Sequence, residues 1–307
     1  MTNLRFQIIS ITAIFAAVGV GLTLGTVTRN APAPAAAQAQ LSALSAENDD
    51  LQAQLDYLSR DEVNREKFAE DLAPVVLAGR LNSIKVLVLA TPSGVDSVAG
   101  VRQMLVAVGA DVTGTLQATT KFYDPLYSDE LLDLAHTALP SSVVGVMPDG
   151  ADGVGASSAV LSAVLLKHTP AIAEDDLRTV LTSYASRGYL LGTEGVGAPA
   201  DVVVVVSGPP ATDEDAARRN AAALAMVSQF DRAGRVVVAA TTQSGAGNLV
   251  SQVRTDPQMK LSVSTVDNVT TPQGRLVAVW AAADQLGGKT GHYGSGDGAA
   301  LVPKITP

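Results

Sequence analysis

The feature that most constrains this chain is an uncharged apolar run near its start, Phe6–Val27. It contains 22 residues, and none of them is Asp, Glu, Lys, Arg or His. As a helix it would be about 33 Å long, enough to cross the hydrocarbon core of a bilayer. We therefore expect residues 1–29 to form a single transmembrane anchor in the cytoplasmic membrane. The acidic remainder translocates readily, so the expected orientation has the N-terminus inside and the C-terminal domain outside.

A cleaved signal peptide is the alternative reading of this start. Ala35-Ala36-Ala37 offers a small-residue cleavage site, and cleavage would export the rest of the chain. Signal-peptide cores are usually only about 7–15 apolar residues long, which favours the retained anchor. Residues 30–37 contain two prolines and are expected to form a stiff Pro/Ala linker.

The anchor carries a stripe of small residues that recur every fourth position: Ala13, Ala17, Gly21 and Gly25. Small residues at this spacing allow two membrane helices to approach closely, so the stripe predicts a dimer. Chance is the alternative, since such stripes are common in spans rich in Gly and Ala.

Residues 38–79 are predicted to form a coiled coil and a connecting helix. The a and d positions of a heptad repeat are taken by Leu41, Leu44, Asn48, Leu51, Leu55 and Leu58. A polar Asn at an a position fixes register and favours a parallel dimer. The alternative is one amphipathic helix that packs on its own domain. Further along we expect a docking face and a glycine that ends the helix: Phe68, Leu72, Val75, Val76 and Gly79.

Short apolar runs alternate with helical patterns in residues 80–307. The predicted strands are Ile84–Ala90, Asp111–Leu116, Tyr189–Leu191, Asp201–Ser207, Arg235–Ala240 and Ser262–Val266. The predicted helices are Val95–Val108, Ser128–Ala138, Gly155–His168, Glu174–Arg187, Thr212–Phe230, Gly247–Val253 and Pro272–Leu286. This alternation predicts an α/β domain with a mostly parallel, doubly wound sheet flanked by helices, followed by a Gly-rich tail.

Composition and motifs give little support for catalysis or for a cofactor. The net charge of −9 argues against a nucleic-acid partner, and the absence of cysteine excludes disulfides and thiolate metal sites. The segment Gly287–Thr290 resembles the end of a phosphate loop, but it follows a helix rather than a strand. Ser157 lies in a sequence like a nucleophile elbow, and it is better explained as a helix cap. We therefore expect a protein that is not an enzyme.

Two sets of residues remain as candidates for binding. No H-x-H, M-x-M or M-x-x-M pattern occurs, so the residues show no copper site with several ligands. His292 remains as the metal candidate, because it lies in the glycine-rich tail. The other set lies where ligands bind in such sheets, beyond the carboxyl ends of the strands: Ser93, Gly94, Ser207, Thr242 and Ser244. Ordinary turn residues are the alternative explanation of that set.

Three segments carry a resemblance to a known family. They are the opening LRFQIISITAIFAAVGVGLTLG, the heptads around Asn48, and the closing VDNVTTPQGRLVAVWAAADQLGGKTGHYGSGDGAALVP. The chain resembles the actinobacterial MctB-type copper-transport proteins, a group that includes the corynebacterial cell-separation protein SteB. The most specific matches are Val266–Val269, Gly274 and Tyr293-Gly294.

The resemblance implies a role in copper homeostasis or in an envelope complex for cell separation, and it implies no site residues. Copper as a ligand is implied only in this way. From the residues we expect a homodimeric, non-enzymatic scaffold with a membrane or envelope protein as its partner. The alternative is a component of copper efflux that acts directly on copper.

Overall fold

A computed structural model describes residues 35–77, 79–167 and 171–304. The chain divides into two compact units, Met1–Val63 and Asn64–Pro307. The predicted anchor and its small-residue stripe at Ala13, Ala17, Gly21 and Gly25 lie outside the described residues. Within the described ranges, no helix is both long enough and apolar enough to span a membrane.

Helix α1 covers Ala35–Val76, 42 residues. It therefore begins inside the segment predicted as a linker, and it ends three residues before Gly79, which has a φ of +72°. Its docking face agrees with the predicted one only in part: Leu72 and Val76 pack against the core, whereas Phe68 and Val75 are 63% and 73% exposed. Ala69, Ala73 and Leu77 are buried instead. Ala69 and Ala73 lie four residues apart and so share one face of the helix, and their small size allows a close approach. Leu77 directly follows the last helical residue.

Seven strands form one sheet within the described ranges. They are β1 Lys85–Ala90, β2 Asp111–Ala118, β3 Leu190–Leu191, β4 Val202–Ser207, β5 Arg235–Ala240, β6 Ser264–Val266 and β7 His292–Tyr293. The strand order is β3-β2-β1-β4-β5-β6-β7. All neighbours are parallel except β2 and β3, which are antiparallel. The chain leaves β1 in one direction to β2 and later returns to its other side as β4, so the strand order reverses between β1 and β4.

Helices cover both faces of the sheet, which confirms the predicted α/β architecture. On one face, α2 (Val95–Ala107) and α9 (Pro272–Leu286) pack with the end of α1. The other face carries α3 Ser128–Ala138, α4 Gly153–Leu165, α5 Glu174–Ser186, α6 Ala216–Ala233, α7 Leu249–Thr255 and the short α8 Met259–Ser262. Along β4, Val203 and Val205 join this second cluster, whereas Val202 and Val204 join the first. A strand buried on both faces explains the unbroken valine run in the sequence.

Three helix starts differ from the predicted ones, and one of them, α7, begins at Leu249 and not at Gly247, capped by Asn248. All residues of α4 are buried, and the helix is capped by Asp152, whose carboxylate accepts a hydrogen bond from Gly155 N at 2.8 Å. Ser157 is therefore not the cap, and its hydroxyl donates to the Leu131 carbonyl at 3.0 Å. Likewise α6 begins at Ala216 and not at Thr212. At α4 and α6, acidic residues precede the helix in turns and loops that the hydrophobic pattern does not reveal.

Candidate functional site: the cavity where the strand order reverses

A cavity of about 170 Å³ lies beyond the carboxyl ends of β1 and β4. We call it the switch-point cavity. In open α/β sheets this is where ligands bind, because the two neighbouring loops diverge to opposite faces and leave a crevice. Its lining is Thr91, Pro92, Ser93, Thr120, Tyr123, Ser207, Gly208, Pro209, Pro210, Ala211, Arg219, Asn220, Ala223, Gly247 and Leu249.

The floor of the cavity depends on two glycines whose backbones touch the opposite turn. A Cβ atom added at Gly94 would lie 2.2 Å from the Val206 carbonyl oxygen. One added at Gly208 would lie 1.9 Å from the Ser93 carbonyl oxygen. No side chain fits at either position, so the turns after β1 and β4 can meet only with glycine there. The close packing holds the hydroxyl-bearing residues of both turns side by side.

Three of these hydroxyls form a loosely bonded cluster. The Thr91 hydroxyl lies 3.4 Å from that of Ser93 and 3.5 Å from that of Ser207. Hydroxyl hydrogen bonds are normally about 2.5–3.0 Å long, so these contacts are weak. Thr91 and Ser207 are nonetheless buried. The Thr91 hydroxyl also donates to Val206 O at 3.5 Å, and the Ser207 hydroxyl donates to Gly208 O at 3.4 Å. The hydroxyls of Thr91 and Ser207 are therefore held only by long hydrogen bonds.

Helix α6 supplies the polar wall of the cavity. Asn220 accepts a hydrogen bond from Ala211 N at 2.9 Å and donates to Ala211 O at 3.1 Å, which fixes the loop before α6. Arg219 donates to Asp213 at 2.8 Å and, more weakly, to Asp124 at 3.5 Å. Its Nε is buried and has no hydrogen-bond partner among the described residues. The guanidinium is thus held in place but incompletely bonded.

Tyr123 closes part of the same cavity as a neutral side chain. Its hydroxyl donates to the sulfur of Met226 at 3.1 Å. Burial raises the pKa of Tyr123 well above its ordinary value, because the phenolate would lose its hydration. The tyrosine therefore offers the cavity an apolar ring and no charge.

The structure brings together only some of the residues predicted for the crevice. Ser93 and Ser207 line the cavity, and Gly94 supports its floor without lining it. Thr242 and Ser244 follow β5 and lie outside the lining, with their hydroxyls 2.6 Å apart. Arg219 was missed, because it lies on a helix 12 residues after Ser207 and no local motif marks it.

His292 lies apart from the cavity, on strand β7, and both of its ring nitrogens are engaged. Nε2 lies 3.1 Å from Lys260 O, and Nδ1 lies 2.9 Å from the Thr265 hydroxyl. Since a carbonyl only accepts, Nε2 carries the proton, and Nδ1 accepts from Thr265. Burial lowers the pKa of His292, in keeping with this neutral form. A metal ion would have to displace one of these bonds.

No group of three His, Cys, Asp or Glu residues within the described ranges is placed to share a metal ion. The segment Gly287–Thr290 follows α9 rather than a strand, as its sequence context suggested. Ser157 is buried in α4 and bonded to a backbone carbonyl.

A buried ion pair holds the closing segment of the chain against β6. Arg254 and Asp267 are joined at 2.8 Å, with side chains 9% and 1% exposed. Asp267 also accepts hydrogen bonds from Ser295 N at 2.8 Å and Gly296 N at 3.1 Å. A Cβ atom added at Gly294 would lie 2.1 Å from the Asp267 carboxylate. The residues that carry the resemblance at Val266–Val269 and Tyr293-Gly294 therefore have a structural role.

Comparison with known proteins confirms the family resemblance that the opening, heptad and closing segments carry. A curated relative in Mycobacterium tuberculosis, named copper transporter MctB, is 25% identical over 98% of this chain and 99% of its own length. The protein of the same name in Mycobacterium leprae is 26% identical over 98% of this chain and 99% of its own length. The family model described as "Copper transport outer membrane protein, MctB" matches residues 1–303, and the chain belongs to this family.

Proposed function

We propose that this protein is a non-enzymatic, membrane-anchored scaffold of the cell envelope that pairs through α1 and contributes to copper homeostasis. The copper role rests on the family and on the names of the mycobacterial relatives. The pairing rests on one observation, the exposed leucine seam of α1. In this proposal the anchor holds the protein in the cytoplasmic membrane, and the α/β unit recruits an envelope partner outside it. A role in cell separation would act through the same assembly.

The leucine seam consists of Leu41, Leu44, Leu51, Leu55 and Leu58. These side chains are 43%, 49%, 52%, 44% and 59% exposed. A regular stripe of large apolar side chains on a helix is normally covered by another helix, because its exposure to water is unfavourable. The spacing of three and four residues supports a second helix wound around the first.

A second copy of the same chain is the partner that the seam fits best. Asn48 lies in the middle of the seam and is exposed, with its side-chain oxygen 2.9 Å from Gln52 Nε2. In a parallel dimer the two Asn48 side chains would meet across the interface and fix the register. In an antiparallel pair each Asn48 side chain would face a leucine and would have no hydrogen-bond partner across the interface.

Cysteine cross-linking tests this pairing cleanly, because the chain has no cysteine of its own. We expect Leu44→Cys and Leu58→Cys, each alone, to form a disulfide dimer on mild oxidation of the full-length protein in membranes. Like d positions in a parallel pair lie close enough for a disulfide. The control is Ala53→Cys, on the outer face of the same helix, which should stay monomeric on a non-reducing gel.

Three patterns of cross-linking would have different meanings. Disulfide at both seam positions and not at the control supports a parallel dimer in register. Equal cross-linking at all three positions indicates random collision and contradicts a specific seam. Monomer at all three positions removes the observation on which the scaffold proposal rests.

The alternative function is direct handling of copper, which the names of the relatives favour. We would titrate Cu(I) anaerobically into the full-length protein and into a His292→Gln variant. One tight equivalent per chain that weakens in the variant would support direct handling. Binding no stronger than that of a buffer blank would favour the scaffold, which would then contribute to copper homeostasis through its envelope partner and not by holding copper itself.

A further inference from the structure

We propose that the switch-point cavity binds a small carboxylate whose second carbon carries a hydrogen-bonding group. The carboxylate would lie at Arg219, and the neighbouring polar group would bond to the hydroxyls of Thr91 and Ser207. This inference goes beyond the proposed scaffold function and does not depend on pairing through α1.

The shape of the cavity is built by rigid parts of the chain. Its floor is the glycine contact between the turns at Gly94 and Gly208, and its rim carries Pro92, Pro209 and Pro210. Proline fixes the backbone angle φ, so the rim loses little conformational entropy when a ligand binds. A cavity with this construction remains open in the absence of a ligand.

The charge of the lining selects the class of ligand. Arg219 is the only ionisable side chain, apart from the neutral Tyr123, that lines the cavity among the described residues. A cation is therefore disfavoured. A doubly charged phosphate is also disfavoured, because Asp213 and Asp124 already bond to the guanidinium. A carboxylate carries a single negative charge and so meets less repulsion from these two aspartates than a phosphate would.

Arg219 has capacity left for such a ligand. Its contact to Asp124 is 3.5 Å long, at the outer limit of a hydrogen bond. A carboxylate could replace the weak Asp124 contact with a charge-assisted bond of about 2.8 Å. The short bond to Asp213 would keep the guanidinium in position.

The hydroxyl cluster is the reason why the proposed ligand carries a second polar group next to its carboxylate. Thr91 and Ser207 can each donate and accept, and their present bonds are all long: 3.5 Å to each other, and 3.5 Å and 3.4 Å to the carbonyls of Val206 and Gly208. A hydroxyl or ammonium group next to the carboxylate would satisfy both. The cavity of about 170 Å³ is large enough to hold a molecule as small as lactate or alanine.

Isothermal titration calorimetry on the full-length protein in detergent micelles tests the proposal. The probes are lactate, alanine and lactamide, which has the shape of lactate without its charge. We expect lactate or alanine to bind and lactamide to bind at least about tenfold more weakly, a difference of about 1.4 kcal/mol. Absence of binding by both acids at high millimolar concentration would overturn the proposal, and so would equal binding of lactamide.

Variants locate the binding to the cavity. Arg219→Gln should weaken acid binding at least about tenfold. The matched control is Arg218→Gln, since Arg218 is the adjacent residue and its side chain is 72% exposed, outside the lining. Undiminished binding by Arg219→Gln would overturn the assignment.

A second variant covers the case in which Arg219→Gln fails to fold. Thr91→Val keeps the shape of the side chain and removes only the hydroxyl. It should weaken lactate binding about tenfold while the fluorescence of Trp280 stays native. Unchanged binding by this variant would contradict the role of the hydroxyl cluster. Since none of these variants touches α1, their results are independent of the cross-linking that tests the dimer.

Discussion

Replacing Asp267 with asparagine should strongly destabilise the α/β unit. Asp267 and Arg254 form a buried ion pair at 2.8 Å. The Asp267 carboxylate also accepts hydrogen bonds from the backbone N–H groups of Ser295 and Gly296. In Asp267→Asn, one oxygen becomes an NH₂ group that faces a donor. The charge of Arg254 then stays buried without its counter-charge.

The expected loss follows from the burial of both partners. Breaking a buried ion pair by altering one member costs about 3–5 kcal/mol, mainly because the remaining charge is uncompensated. The side chains here are 9% and 1% exposed, so solvent offers little relief. Arg254 keeps its bonds to Thr265, Gln243 and the Tyr293 carbonyl, which limits the loss to that range. This is a large fraction of a typical domain stability of about 5–15 kcal/mol.

Urea unfolding of the full-length protein measures this change. The single tryptophan, Trp280, is buried in α9 and reports the unfolding of the α/β unit through its fluorescence. The control is Asp71→Asn, which breaks the ion pair with Lys67, whose side chains are 67% and 72% exposed. It should change the free energy of unfolding by less than about 0.5 kcal/mol. A loss below about 1 kcal/mol in Asp267→Asn would refute the reasoning.

Three further predictions concern other parts of the α/β unit. Burial lowers the pKa of His292, so as the pH falls through 6.5 the unfolded chain takes up a proton before the folded protein does, and the free energy of unfolding decreases. The thermal midpoint of the wild-type protein should therefore fall over this pH range. In His292→Gln this part of the pH dependence should be lost, whereas His136→Gln should keep it. Ala73→Asp, at a fully buried position of α1, should lower the free energy of unfolding by at least about 2 kcal/mol, and Val75→Asp on the exposed face should change it by less than about 0.5 kcal/mol in the same urea titration. Gly294→Ala should cost about 1–3 kcal/mol, because the residue has a φ of +129° and its new methyl group would collide with a carboxylate; native stability would contradict the assigned role of this glycine.

The sequence alone predicted the central sheet well. The runs at β1, β4 and β5 are rich in β-branched and apolar residues, so their periodicity and length indicate strands buried on both faces. Of the two edge strands, β3 was predicted as Tyr189–Leu191 and has two residues, Leu190–Leu191, paired antiparallel to β2. Strand β7 was not predicted, since its two residues lie inside a glycine-rich segment. Short edge elements are fixed by neighbouring strands rather than by their own pattern.

The docking face of α1 shows where a hydrophobic pattern misleads. Phe68 and Val75 are large and apolar, so the sequence favours them as core residues, yet both are exposed. The helix packs through Ala69 and Ala73, since small residues permit close approach to the neighbouring helices. Only the positions of the surrounding elements decide which face is covered.

The sequence by itself predicted a candidate ligand site beyond the carboxyl ends of the strands, and it identified Ser93 and Ser207, which line the cavity there. The reason is that loops which follow β-strands can be located from the strand pattern alone. The tertiary structure decided that Arg219 faces the same cavity and that Thr242 and Ser244 do not line it. Residues distant in sequence meet only through the order of strands in the sheet and the packing of α6 on it, and neither leaves a local signal in the chain.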